Sequence, residues 1–194
     1  EAFNDLPVSV PCGRCIECRL EHKRQWAMRC MHEASLYDDN CFITLTYDNE
    51  HRPPYGSLDQ KDPDDLQLFL KRLRSKFPTK INANGETVPR RIRFFGAGEY
   101  GTLGSPHYHL ILFNLDFPDK RRWSNRGGHQ VFRSETLETL WPYGHSEIGS
   151  VTFDSAAYVA KYVQKDNDWS DDPYFQHMLN TGLWKPEFGR MRDR

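Results

Sequence analysis

The stretch from Arg91 to Asn114 constrains the fold more than any other. Two runs, Arg91 to Glu99 and His107 to Asn114, are rich in apolar, aromatic and β-branched residues, and a Gly-rich segment, Tyr100 to Pro106, joins them. That pattern predicts two strands linked as a hairpin. Strand side chains alternate between faces, so His107 and His109 share one face and Tyr108 takes the other. If the turn closes symmetrically, residue 98 faces residue 108 and Glu99 faces His107. Opposed side chains have Cβ atoms about 4.5–5.5 Å apart, so two imidazoles and one carboxylate converge. A one-residue slip in register would turn Glu99 away.

The remaining segments supply the partners of this hairpin. Cys15 to about Tyr37 reads as a helix, with Leu20, Trp26, Ala27, Met28 and Met31 among charged residues. Cys41 to Tyr47 is a β-branched and aromatic strand, and His51 to Gly56 a Pro/Gly loop. Asp62-Pro63 is expected to open a helix to about Phe77, with Asp62 as its N-cap. Residues 78 to 89 suggest a loop or weak hairpin around Asn84-Gly85, and residues 115 to 132 a polar irregular loop. Ser134 to Leu140 reads as a short helix and Glu147 to Phe153 as a strand. A final helix, capped by Asp154, runs to about Lys165. No element is assigned after Asn167. Strands with inserted helices and hairpin links predict an α+β chain, an antiparallel sheet flanked by helices. Residues 1–40 form an N-terminal segment with its helix, 41–166 the core, and 167–194 a tail without an assigned role.

Composition narrows the classes. With 38% hydrophobic and 27% charged residues, the 194-residue chain reads as soluble and globular. It contains no run of eighteen apolar residues, so no membrane span is expected. No signal-peptide pattern opens it, from which a cytoplasmic location follows as an expectation. The first residue is Glu1 rather than Met, as a trimmed chain would have. A net charge of −1 gives no general attraction to nucleic acid. Binding phosphate needs only local positive charge, however. Basic clusters occur at Arg19 to Arg29, Lys71 to Lys76, Arg90 to Arg93 and Lys120 to Arg126.

Glu99, His107 and His109 are a donor set suited to a divalent cation with open positions. Imidazole accepts Mn²⁺ or Zn²⁺, and a carboxylate also suits Mg²⁺. Such a cation acts as a Lewis acid toward a phosphate oxygen. The competing reading is a polar strand face without metal.

The last helix carries a second signal. Ala156, Val159, Ala160 and Val163 form an apolar stripe, while Tyr158, Lys161, Tyr162 and Lys165 repeat the same spacing on the other side. Tyrosine is a nucleophile once activated. Its ordinary pKa is about 10, so it needs help from a cation such as Lys161 or a bound metal. The plain alternative is two amphipathic tyrosines flanked by solvating lysines.

A third motif is Cys12-x-x-Cys15-x-x-Cys18. The spacing suits reduced thiols and a structural Zn²⁺ rather than a disulfide framework. Cys30, His22 and His32 are candidates for a fourth ligand. Helix rise puts Cys30 roughly 18 Å from Cys18, so His22 is better placed.

Taken together, these motifs resemble those of the HUH endonucleases. His107-Tyr108-His109 resembles their His-hydrophobic-His motif. Tyr158-Val-Ala-Lys161-Tyr162-Val resembles the two-tyrosine motif of the replication-initiator branch. Phe42-Ile-Thr-Leu-Thr-Tyr47 resembles the first strand motif, and Gly98-Glu99-Tyr-Gly through Pro106-His107 the stretch that supplies an acidic metal ligand. Within that branch the chain is most similar to the replication initiators of small single-stranded DNA bacteriophages of the gokushovirus type. The Pro11 to Arg19 segment shares the likeness, which spans roughly residues 11 to 165.

The resemblance implies an HUH/RRM-like core, a central antiparallel sheet of about five strands with the tyrosine helix over its histidines. It also implies nicking and rejoining of single-stranded origin DNA through a 5′-phosphotyrosine, with Mg²⁺ or Mn²⁺ held by Glu99, His107 and His109. Tyr158 and Tyr162 would be the nucleophiles and Lys161 would steady the phosphate. The partners implied are a viral origin strand in the bacterial cytoplasm and the host replication helicase and polymerase. No Gly-rich Lys-Ser/Thr phosphate loop is present to supply unwinding. A transposase or relaxase of the same superfamily, and a non-catalytic zinc-containing DNA-binding module, are the alternative readings.

Overall fold

A computed structural model describes residues 10–13, 15–54, 64–101 and 105–163, and the backbone of 189–191. Among these, an open antiparallel sheet has two helices on each face. The sheet has seven strands in the order β6-β7-β8-β1-β5-β4-β9. Its strands are β1 (Asn40–Tyr47), β4 (Arg93–Tyr100), β5 (Pro106–Phe113), β6 (Arg121–Arg126), β7 (His129–Arg133), β8 (Gly144–Gly149) and β9 (Gly189–Met191). A separate hairpin pairs β2 (Thr79–Ile81) with β3 (Thr87–Pro89). The helices are α1 (Ile16–Ala34), α2 (Asp65–Lys76), α3 (Glu135–Leu140) and α4 (Phe153–Val163).

Alternation along the central strands divides the interior into two cores. Cys41, Ile43, Leu45 and Tyr47 of β1 join Tyr108, Leu110 and Leu112 of β5 against Leu66, Phe69, Leu70 and Leu73 of α2 and Leu137, Leu140 and Trp141 around α3. On the other face Phe95, Ala97, Ile111 and Phe113 pack against Ala27, Cys30 and Ala34 of α1 and Ala156, Val159 and Ala160 of α4. Small residues on α1 and α4 let the two helices lie close together over β4 and β5. A stack of Trp26 on Phe95, ring centroids 5.2 Å apart, fastens α1 to the sheet.

Four expectations are corrected. The sheet is wider than five strands because the segment read as a polar loop contains the β6–β7 hairpin. Its turn is Gly127-Gly128, both with positive φ (57° and 85°), as a two-residue hairpin turn requires. The exposed, polar β6 hides its strand character because it has no buried face to imprint an apolar alternation. Helix α2 starts at Asp65, and its N-cap is Asp64, whose carboxylate accepts from the Gln67 amide at 2.7 Å. The expected cap Asp62 lies outside the described residues. Strand β8 runs from Gly144 to Gly149, three residues earlier than expected. Val151, Thr152 and Phe153 look strand-forming, but they serve the entry to α4. There Thr152, not Asp154, caps the helix: its hydroxyl accepts from the Ser155 amide (3.1 Å) and the Ser155 hydroxyl accepts from its amide (2.9 Å). Lys165 lies outside the described residues.

Candidate metal centre

Strands β4 and β5 pair with Glu99 opposite His107 and Gly98 opposite Tyr108, the register that a symmetric turn gives. On the other side β5 pairs with β1, setting Thr44 opposite His109 and Thr46 opposite His107. The site therefore sits on the three central strands, on the α1/α4 face, at the end where α4 stops covering the sheet.

One oxygen and two nitrogens converge there, with candidate donor atoms of Glu99, His107 and His109 all within 4.8 Å of one another. Glu99 Oε1 is in direct contact with His107 Nε2 and lies 3.4 Å from His109 Nε2. Both imidazoles are held from behind. His107 Nδ1 donates to the Ser105 carbonyl at 3.0 Å, and His109 Nδ1 lies 3.1 Å from the Thr44 hydroxyl. Each ring thus turns Nε2 toward the carboxylate. Outer partners of this kind fix tautomer and orientation in metal-binding histidines. Phe42 stacks on His109 with centroids 5.8 Å apart.

The electrostatics ask for a positive charge. Glu99 is 6% exposed, and its Oε2 is buried with no hydrogen-bond partner. A neutral imidazole has one N–H, so His107 cannot donate to both Ser105 and Glu99. A proton or a metal ion must lie between Nε2 and the carboxylate. Burial works against ionisation of Glu99, but hydrogen bonds from His107 and His109 and their positive charges outweigh it and hold the carboxyl at about 2. His109 is pulled down, chiefly by burial, against the raising effect of Glu99. That favours the neutral ring, which is the form that ligates a metal. The orphaned oxygen and the mixed O/N donor set fit a divalent cation of the Mg²⁺ or Mn²⁺ kind.

Helix α4 brings both tyrosines to the same place. The Tyr158 hydroxyl is 3.5 Å from His109 Nε2, and the two rings meet edge to face at 5.0 Å. Tyr162 lies over His109 with centroids 6.0 Å apart and touches the Tyr158 ring at 5.0 Å. The expectation that both phenols stay off the core holds for Tyr158, which is 39% exposed. Tyr162 instead packs on the rim of the α1/α4 core. Its phenol is raised by burial first, then by Tyr158 and the Glu99 charge. Lys161 is exposed, its ammonium 5.7 Å from the Tyr162 ring centroid.

A cavity of about 420 Å³ opens beside this group, over β1, β8 and β7. Thr44, His109 and Tyr158 form one wall; Phe42, Gln130 and Glu147 line the rest. The arginine-bearing β6–β7 hairpin borders it. Other basic clusters are otherwise engaged: Arg93 pairs with Glu33 at 2.9 Å and Arg90 with Asp39 at 3.9 Å, while α2 lies on the opposite face. Thr44, Ser105 and Phe42 are the residues that sequence reasoning missed. Finding Thr44 needs the β1–β5 register, which no local motif encodes.

Cys12, Cys15 and Cys18 also come together, their sulfurs within 4.8 Å of one another, at the start of α1. Cys30 does not join them. It is 2% exposed in the α1/α4 core, where burial pushes its thiol up to about 12. His22 Nε2 accepts from the Trp26 indole N–H at 3.2 Å.

Fold and site together define an α+β protein whose open antiparallel sheet carries a two-imidazole, one-carboxylate group under a pair of helix-borne tyrosines. The family model for replication-associated protein ORF2 matches residues 40–167. Replication-associated protein VP4 of Bdellovibrio phage phiMH2K is 41% identical over 94% of this chain and 56% of its own length. Replication-associated protein ORF2 of Spiroplasma virus 4 is 35% identical over 81% of this chain and 48% of its own. Replication-associated protein ORF4 of Chlamydia phage 1 is 30% identical, over 80% and 38%. The chain thus spans about half the length, or less, of these relatives. No solved structure matches significantly. The chain belongs to the ORF2 family of replication-associated proteins. Among the described residues no helix is long and apolar enough to cross a membrane.

Proposed function

We propose that this chain initiates phage DNA replication by nicking single-stranded origin DNA and later rejoining it, through a 5′-phosphotyrosine. The observation that carries this reading is the Tyr158 hydroxyl 3.5 Å from His109 Nε2, itself one corner of the Glu99/His107/His109 group. A nucleophile and a cation-binding set within one contact of each other are what phosphodiester transesterification needs.

Glu99, His107 and His109 would hold the divalent cation, which when bound supplies Lewis acidity toward the scissile phosphate. The residues of the chain do the rest. Ser105 and Thr44 keep the two imidazoles oriented. Tyr158 attacks phosphorus and forms the phosphotyrosine bond, while the bond to the leaving 3′-oxygen breaks. The phenolic proton is lost to solvent and a proton is taken up by the 3′-oxygen, so the products are a tyrosyl 5′-phosphate and a free 3′-hydroxyl. The ester retains the bond energy, so attack by a 3′-hydroxyl reverses the step without a nucleotide cofactor. Lys161 balances phosphate charge. Tyr162, one helical turn on, is the second nucleophile, able to cut while Tyr158 still holds the first end. The cavity between Tyr158 and β7 is where the neighbouring nucleotide of the strand lies.

Incubation with a labelled single-stranded origin oligonucleotide in Mn²⁺, followed by mass spectrometry of the adduct, tests this. The expected product is a peptide spanning α4 with DNA attached through its 5′ end. Tight binding without any adduct would instead leave a non-catalytic DNA-binding module, and an adduct through the 3′ end would exclude the mechanism.

A further inference from the structure

The Cys12/Cys15/Cys18 cluster takes no part in that chemistry, and its geometry has a meaning of its own. Cys12 Sγ and Cys18 Sγ are 3.8 Å apart, and all three sulfurs lie within 4.8 Å of one another. A tetrahedral ion with Zn–S bonds of about 2.3 Å has sulfur–sulfur edges of about 3.8 Å. A disulfide needs about 2.05 Å between sulfurs, and none of the three cysteines forms one. In a four-iron cluster each thiolate binds its own iron, which spreads the sulfurs farther than one shared ion does.

The local fold supplies the need for such an ion. From Ile16 to Gln25, nearly three turns of α1, no residue is buried; the first that is buried is Ala27. Ile16 and Leu20 are 64% and 59% exposed. The N-cap, Cys15, makes no side-chain cap hydrogen bond. An uncapped, unpacked helix end has little to offset the cost of helix nucleation. Three side chains from the lead-in and the first turn, tied to one point, would offset it.

We propose that Cys12, Cys15 and Cys18 bind a structural Zn²⁺ as thiolates, with water in the fourth position, and that this ion holds the protruding start of α1. Binding releases three thiol protons to solvent. The site is separate from the Glu99/His107/His109 group and does not depend on its proposed chemistry.

The test uses the full chain, purified under reducing conditions and passed through a mild chelating column, with metal content read by mass spectrometry. About one zinc per chain is expected, retained in His107→Ala/His109→Ala and lost in Cys12→Ser/Cys18→Ser. Cobalt substitution should give an intense near-ultraviolet thiolate-to-cobalt band that the same cysteine variant abolishes. Hydrogen exchange should speed up at amides 16–25 in the cysteine variant and stay unchanged in β5. Zinc retained by the cysteine variant, zinc lost with the histidines, or iron with acid-labile sulfide would each overturn the proposal. So would unchanged exchange at 16–25 on loss of zinc, because the ion would then hold nothing in place.

Discussion

The two faces of the central sheet use the same residue types for opposite ends. On the α2/α3 face, Tyr47 and Tyr108 are 3% and 4% exposed. They join Trp141, which lies 5.0 Å from Tyr47 and 6.0 Å from Tyr108. The Tyr47 hydroxyl donates to Asp65 at 2.9 Å, and burial raises both phenols well above their ordinary value. On the α1/α4 face, Tyr158 and Tyr162 stand at the edge of the helical layer, beside two imidazoles and a carboxylate. The divide passes through three consecutive residues: His107 and His109 turn one way and Tyr108 the other. A tyrosine in an aromatic core is a packing element with its hydroxyl satisfied. A tyrosine at the open end of the other face is accessible to a substrate. Strand alternation alone decides which is which.

The largest effect that would test this division is loss of covalent chemistry. Tyr158→Phe with Tyr162→Phe should remove the DNA adduct altogether while leaving DNA binding. Tyr47→Phe with Tyr108→Phe should leave adduct formation intact per folded molecule. An adduct surviving the first pair, or vanishing with the second in protein that is still folded, would break the comparison. Between the single variants, Tyr158→Phe should slow the first cleavage more than Tyr162→Phe, because Tyr158 is the more exposed and lies within 3.5 Å of His109.

Next in size are changes to the imidazole support. His107→Ala removes a candidate ligand, and cleavage in Mn²⁺ should fall by about 100-fold or more. Cleavage by the unaltered chain in chelator should be equally poor; cleavage there equal to that in Mn²⁺ would end the metal role. Thr44→Val keeps shape but removes the hydroxyl behind His109 Nδ1. Loss of an outer partner of this kind costs about 10–100-fold in metal affinity, measurable by Mn²⁺ titration. An unchanged affinity would make Thr44 a bystander. On the other face, Tyr47→Phe should leave metal affinity untouched but lower stability by about 1.5–3 kcal/mol, the worth of a hydrogen bond to a charged group.

Much of this division was legible in the chain because it rests on local periodicity. The Glu99–His107 pairing follows from a symmetric turn, and the α4 stripe from helical spacing. What stayed hidden depends on longer-range facts. The β6–β7 hairpin carries a Gly127-Gly128 turn signal, but β6 is exposed and lacks alternation. The shift of β8 to Gly144–Gly149 comes from Thr152 and Ser155 exchanging capping hydrogen bonds, which outweighs the strand propensity of Val151 to Phe153. The place of Tyr162 on the core rim depends on how α4 sits against the sheet, and a helical wheel drawn for α4 alone lacks that sheet.

The smallest effect lies at the α3 end of the structural face, and its pH dependence gives it a distinct signature. Asp119 accepts from the Ser134 hydroxyl at 2.6 Å and from the Thr136 amide at 2.9 Å, steadying the start of α3. Partial burial opposes its ionisation, but these hydrogen bonds prevail and its pKa is lowered. The folded state therefore binds this proton more weakly than the unfolded state. The resulting stability is fully present above the ordinary carboxylate value of about 3.9 and is lost as pH falls through the lower folded value. Asp119 is partly solvated, so its contribution should be about 0.5–1 kcal/mol after screening. Urea unfolding of Asp119→Asn beside the unaltered chain should show that gap at neutral pH and a narrowing gap below about pH 4. A gap that widens on acidification would mean the carboxylate is strained by its surroundings rather than held by them, and the α3 end would then not be the passive packing layer that the contrast between the faces requires.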